Sequence, residues 1–256
     1  MRKLMDAYRS WRYGVQHSRG FRQKLRATTY WLAEKSLRYL PPRTYWDLLA
    51  RIDPYQTVGL TSHPGELYQL DNGILRELQA RGLLGPETVT LHIGAGVGRI
   101  EYAIAPHVKK CYGIDVSSVL PKVAQRNLSQ YGNVEFRTGD GRTLGIFPDA
   151  TFDVIYSTIA FQHMPKDVFR SYLADTHRAL KPGGTLYFMI PAAPRTEQVV
   201  ADERDAHTMR RYTPDELRAL VRDVARLELV EIMNEAHVGE APEVDVWVVA
   251  RKASGA

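Results

Sequence analysis

Three glycines at alternate positions, Gly94, Gly96 and Gly98, follow directly on an apolar run, Val89-Thr90-Leu91-His92-Ile93. Glycine lets the backbone turn tightly and lets a ligand lie against bare main chain. A helix opening at such a turn adds free N–H groups and the positive end of its dipole, which suit an anionic group. Helix–strand packing also selects glycine, so the turn alone is weak evidence for a nucleotide-type ligand. Asp115 strengthens it. This residue ends the next strand-like run, 17 residues after Gly98, where a carboxylate can accept both hydrogen bonds of a ribose diol. Asp140-Gly141 closes a third run in the same way. Each aspartate alone suits a helix cap or a turn. Three such corners at successive strand ends favour a ligand lying along one edge of a sheet.

A second group of residues suits proton transfer. After the fourth strand-like run the chain reads Tyr156-Ser157-Thr158-Ile159-Ala160-Phe161-Gln162-His163-Met164-Pro165. His163 is the candidate general base, because imidazole titrates near neutral pH and can take a hydroxyl proton. The same ring can instead pack at the start of the following helix and bond the backbone. The stretch 192–213 is longer than the ~2–6 residues usual between a strand and a helix, as lids and substrate walls often are. Its Arg195, His207, Arg210 and Arg211 can grip an anionic group, or simply be solvated. Gln162, His207 and Arg211 are therefore candidate substrate contacts, with His63, Glu66 and the helices of 1–53 as further walls. Cys111, the only thiol, lies inside a strand-like run, badly placed for a nucleophile. No compact His/Cys/carboxylate cluster suggests a metal site.

The elements that must hold these residues alternate regularly. The pattern predicts strands at 89–93, 110–114, 134–137, 152–157 and 185–190, with helices near 73–82, 98–106, 119–131 and 167–180 between them. Thr213, Pro214 and Glu216 form a capping box that opens a last helix. Two final strands, LELVEIM and VDVWVVARK, are close enough to pair as antiparallel neighbours. The fold class is therefore α/β, a largely parallel sheet covered on both faces.

Ahead of it, residues 1–53 carry 12 Lys/Arg against 4 Asp/Glu and nine aromatics. Three helical faces are expected there: Leu4, Tyr8, Trp11 and Val15; then Phe21, Leu25 and Leu32; then Trp46, Leu49 and Ile52. This arm can meet an anionic partner or a membrane surface. The plainer reading is an amphipathic cap whose aromatics pack on the domain while its arginines stay in water. We expect a helical extension over 1–60 and the main domain over 61–253. The absence of a long apolar run and of a cysteine pair points to a cytoplasmic protein.

VTLHIGAGVGR resembles the first motif of class I S-adenosylmethionine (SAM)-dependent methyltransferases. YGIDVS resembles their ribose-acid segment, RTGDGRTL their adenine corner, and TFDVIYSTIAFQHMP, ALKPGGTLYF, YTPDELRAL and WVVARK their later segments. The resemblance covers roughly 72–253. It implies a Rossmann-like doubly wound sheet of seven strands in the order 3-2-1-4-5-7-6, last strand antiparallel. It also implies SAM as cofactor, S-adenosylhomocysteine as product, and cofactor contacts from His92, Gly94, Ala95, Gly96, Gly98, Asp115, Val116, Asp140, Gly141 and Ser157. One residue departs from the pattern: His92 stands where the family usually has an acid associated with the amino-acid end of SAM. FQHMP resembles a string in methyltransferases of sugars, polysaccharides and natural products. The expected activity is metal-independent O-methylation of such a hydroxyl. An RNA methyltransferase gripping phosphates with the basic arm and a non-catalytic scaffold remain as alternatives.

Overall fold

The computed structural model describes residues 21–60, 73–194, 202–241 and 244–255. The first expected helical face (Leu4, Tyr8, Trp11, Val15) and His63, Glu66 and Arg195 lie outside these residues.

Seven strands form one sheet: β1 (Val89–Ile93), β2 (Lys110–Asp115), β3 (Val134–Thr138), β4 (Phe152–Ser157), β5 (Leu180–Ala192), β6 (Glu228–Met233) and β7 (Val244–Arg251). Their order is 3-2-1-4-5-7-6, with the first five parallel and β7 antiparallel to both β5 and β6. Burial on both faces explains why β1 reads as an apolar run, with Thr90 to Ile93 all buried. One core gathers Leu91, Ile93, Ile155 and Phe188; the other gathers Val154, Tyr156, Tyr187 and Val249. Strand order reverses between β1 and β4, and a doubly wound sheet opens its ligand crevice at that point.

The helices of this domain are α4 (Gly73–Ala80), α5 (Arg99–Ile104), α6 (Leu120–Asn127), α7 (Lys166–Ala179) and α8 (Pro214–Ala219). At the start of α8 the Thr213 hydroxyl accepts the Glu216 N–H, and the Glu216 carboxylate accepts the Thr213 N–H at 2.8 Å. Strand β5 starts at Leu180, five residues earlier than its apolar pattern predicts.

Helices α1 (Phe21–Ser36), α2 (Pro42–Ile52) and α3 (Pro54–Thr57) precede the domain. The sequence pattern misjudges one face here. Phe21, Leu25 and Leu32 are 81%, 57% and 52% exposed, whereas Ala27 and Tyr30 of the same helix are buried. The partner surface decides which face turns in: Tyr30 joins Tyr45, Leu49 and Ala206 in a small core of its own. The expected inward stripe of α2 does pack, with Leu49 buried and Trp46 and Ile52 partly so.

Polar contacts fasten this cap to the carboxyl edge of the sheet. Asp47 on α2 accepts the Ser117 hydroxyl at 2.7 Å and the Ser118 N–H and hydroxyl at 2.7 and 2.8 Å, just beyond β2. Arg43 donates to the Gly139 carbonyl beyond β3. The Ala206 N–H donates to the Arg38 carbonyl at 2.7 Å. Several of the cap's arginines are therefore engaged with the protein itself: Arg26 donates to the Ile52 carbonyl at 2.5 Å, and Arg38 pairs with Asp205. Among the described residues, no helix is long and apolar enough to cross a membrane.

Candidate active site

A cavity of about 570 Å³ lies over the strand ends, beneath the cap. Its floor is the turn between β1 and α5. Gly94, Ala95 and Gly96 line it, together with His92. Gly96 has φ +56, and a Cβ there would lie 2.6 Å from the Val58 side chain. Gly98, with φ +82, does not line the cavity; a Cβ there would meet Leu128, Phe136 and Ala124 at 2.9–3.3 Å. The third glycine thus serves helix–strand packing, which only glycine permits at that distance.

Asp115 and Val116 line the cavity at the end of β2. The Asp115 carboxylate accepts the Gly96 N–H at 3.0 Å and the Ser117 N–H at 2.9 Å, which ties the glycine turn to β2. Burial pushes its pKa up, against the pull of those two donors. Each carboxylate oxygen keeps a lone pair for a further donor.

Gly141 lines the cavity but Asp140 does not. The Asp140 carboxylate accepts the Arg142 and Thr143 N–H groups and the Thr143 hydroxyl, each at 2.7 Å. Burial opposes its ionisation, but these donors outweigh burial and hold the pKa below the usual carboxylate range. Asp140 shapes the corner instead of facing the ligand space. Ser157, fully buried, donates to the Ile93 carbonyl at 2.9 Å and likewise stays outside the lining.

His92 is buried in the floor. Its Nδ1 lies 2.6 Å from Oε1 of Glu101 on α5, and its ring stacks on Tyr156 with centroids 4.6 Å apart. The Tyr156 hydroxyl donates to the same Glu101 oxygen at 3.1 Å. No acid-like pattern in the sequence connects Glu101 to His92; only the turn of α5 over β1 brings them together.

His163, Gln162, His207 and Trp46 form another part of the lining. His163 Nδ1 lies 3.1 Å from the His207 carbonyl oxygen, which can only accept, so Nδ1 carries the hydrogen and Nε2 the lone pair. Burial, and next the neighbouring His207, lower the His163 pKa to about 4. The ring is therefore neutral at physiological pH. Gln162, also buried, reaches towards His163 Nε2 at 3.5 Å and leaves its own Oε1 without a partner. His207 bridges the cap and the 202–212 segment: its Nδ1 is 2.9 Å from the Tyr45 hydroxyl and its Nε2 3.3 Å from Glu34. Trp46 packs edge-on to His163 at 5.6 Å between centroids. Sequence reasoning named the helices of 1–53 as walls and Trp46 on a packing face, but Tyr45 and Glu34 escaped it because only the tertiary docking of the cap places them here.

Two expected gripping residues are elsewhere. Arg210 is fully buried and donates to the His163, Thr208, Asp202, Glu203 and Asp205 carbonyls as well as the Glu203 carboxylate. It organises the wall and has no surface to offer a ligand. Arg211 does not line the cavity. Cys111 is buried in β2, its thiol pushed up to about 12 by burial. Among the described residues, no three His, Cys, Asp or Glu side chains cluster as metal ligands.

Residues 90–184 match the family described as methyltransferase domain. The chain is 32% identical over 170 residues to an arsenite methyltransferase of Aquipseudomonas alcaligenes, covering 59% of this chain and 46% of that protein. It is 31% identical over 83 residues to ribosomal RNA small subunit methyltransferase A of Thermotoga maritima, covering 32% and 30%. The chain thus spans less than half the length of these relatives. A solved SAM-dependent methyltransferase of Methanosarcina mazei superposes with a TM-score of 0.55 at 20% identity, covering 69% of this chain and 98% of that one. Residues 90–184 thus resemble a methyltransferase domain, and the strand order together with the solved neighbour shows the Rossmann-like fold of class I SAM-dependent methyltransferases.

Proposed function

We propose that the protein transfers a methyl group from SAM to a hydroxyl of a small molecule or glycan, with His163 as proton acceptor. The residues present suit the cofactor. The floor offers glycine backbone, the Asp115 carboxylate with lone pairs to spare, and a buried, unpartnered Nε2 on His92. When bound there, SAM supplies an activated methyl group open to in-line displacement.

One observation carries the choice of a hydroxyl: His163 lines the same cavity as the glycine turn, with its Nδ1 hydrogen given to the His207 carbonyl and its Nε2 unprotonated. A hydroxyl acceptor loses its proton as its oxygen bonds to the methyl carbon and the carbon–sulfur bond breaks. A neutral imidazole fixed by the His207 carbonyl can receive that proton at Nε2. Trp46 and residues of the cap helices line this side, and such cover favours exclusion of water from the reacting atoms. Arg210 holds the His163 carbonyl at 2.8 Å and so keeps the ring in place.

The two relatives are named for other acceptors. Arsenite binds thiolates readily, but Cys111 is buried away from the cavity. An RNA acceptor gains from free surface cations; in the described part of the cap, Arg26, Arg38 and Arg43 make internal contacts, which favours the small acceptor. Incubating the protein with methyl-labelled SAM and a panel of hydroxylated sugars, aromatic natural products and ribosomal RNA discriminates these readings. We expect label on a hydroxyl compound and none after His163→Gln. Label on RNA alone would overturn the hydroxyl assignment.

A further inference from the structure

His92 occupies the place where the family usually has an acid, yet a carboxylate is present one layer away. Glu101 is fully buried on α5, and its Oε1 takes both the His92 Nδ1 contact at 2.6 Å and the Tyr156 hydroxyl at 3.1 Å. With Glu101 as the acceptor, Nδ1 of His92 carries the hydrogen, and a ring with that single hydrogen keeps its lone pair at Nε2. That Nε2 has no partner, and neither does Glu101 Oε2. Leaving such buried groups unsatisfied is costly unless a ligand completes them. His92 lines the cavity. Arg99, the first residue of α5, lines it too and makes no hydrogen bond or ion pair with any described residue. Burial lowers its pKa, while Glu101 raises it.

A buried carboxyl group relayed through an imidazole, beside a guanidinium that no described residue hydrogen-bonds, matches a zwitterion. We propose that Glu101, acting through His92, replaces the missing strand carboxylate and receives the α-ammonium of SAM, while Arg99 receives its α-carboxylate. This rests on the SAM reading above. The ammonium donates to His92 Nε2. The hydrogen on Nδ1 stays with Glu101, whose charge makes the far side of the ring a stronger acceptor. Tyr156, stacked on the ring and bonded to Glu101, holds both in register. Glu101 is thus a positioning residue and does not touch the cofactor.

Four ligands separate these roles: S-adenosylhomocysteine, its deaminated form, its decarboxylated form, and 5′-methylthioadenosine, which lacks the amino-acid end. Calorimetric titration of the wild type, His92→Asn, Glu101→Gln and Arg99→Gln with each gives the test. We expect His92→Asn and Glu101→Gln to weaken S-adenosylhomocysteine and its decarboxylated form ~10–100-fold, as expected for loss of a charged hydrogen bond. The deaminated form and methylthioadenosine should stay within about twofold, which also shows that the variants are folded. Arg99→Gln should spare the decarboxylated form and weaken the deaminated one. Equal losses for all four ligands, or no loss, would overturn the proposal. A wild type that binds none of them would instead overturn the SAM reading on which it stands.

Discussion

Two histidines line the cavity, and their surroundings give them different properties. His92 on β1 is tied to a buried carboxylate and stacked on Tyr156. His163, before α7, is bonded to a backbone carbonyl, crowded by His207 and an arginine, and held neutral. Two neighbouring strands, β1 and β4, and helix α5 build the first environment. The second needs three distant segments: the 161–163 turn, the cap and the 202–212 stretch. A carboxylate partner makes an imidazole an electrostatic receptor, whereas a carbonyl partner only fixes its tautomer. The floor is thus suited to hold, and the wall to take a proton.

Substitutions can break this division, and the largest effect should come from the wall. His163→Ala should lower turnover by ~100-fold or more, the usual span for general-base loss, while S-adenosylhomocysteine affinity by calorimetry changes less than about twofold. Arg210→Met should come next. It strands several buried carbonyls, so chemical denaturation should show a loss of about 3 kcal/mol. Asp115→Ala should weaken S-adenosylhomocysteine ~10–100-fold in the same titration, because it removes the ribose acceptor and frees the glycine turn.

Acidity sharpens the comparison further. Because the folded state lowers the His163 pKa to about 4, the protein binds a proton there less readily than the unfolded chain, whose imidazole titrates near 6.5. The neutral ring's contribution is complete above pH ~6.5 and is lost as pH falls through the folded value. Turnover should accordingly hold steady from pH ~8 to ~5. A steep acid limb near pH ~6.5 would contradict the burial of this ring. The smallest effect should belong to the exposed apolar face of the cap. Leu25→Glu and Leu32→Glu should each change stability by less than about 0.5 kcal/mol.

The sheet and the glycine turn that floors the cavity were legible in the sequence because each rests on local signals. Strand runs, the glycine spacing, Asp115 and the Thr213 capping box are short-range patterns, and all seven strands appear in the implied order. The wall was legible only in part. His163, Gln162 and His207 could be named and Trp46 placed on a packing face, but Glu34 and Tyr45 come from a cap whose orientation depends on what it packs against. The same dependence exposes Phe21, Leu25 and Leu32 and turns Tyr30 inward. Arg210 looked like a surface cation from its neighbours in sequence, and a loop folded around it made it a core residue. Asp140 kept the position the motif implies while its carboxylate went to the turn.

The central claim is that the floor binds SAM independently of the wall that performs the chemistry. Titrating the wild type, Asp115→Ala and His163→Gln with S-adenosylhomocysteine tests it most directly. The account predicts one site per chain in the wild type, markedly weaker binding in Asp115→Ala, and unchanged affinity in His163→Gln. No binding to the wild type, or an Asp115→Ala variant that binds as well as the wild type, would contradict it.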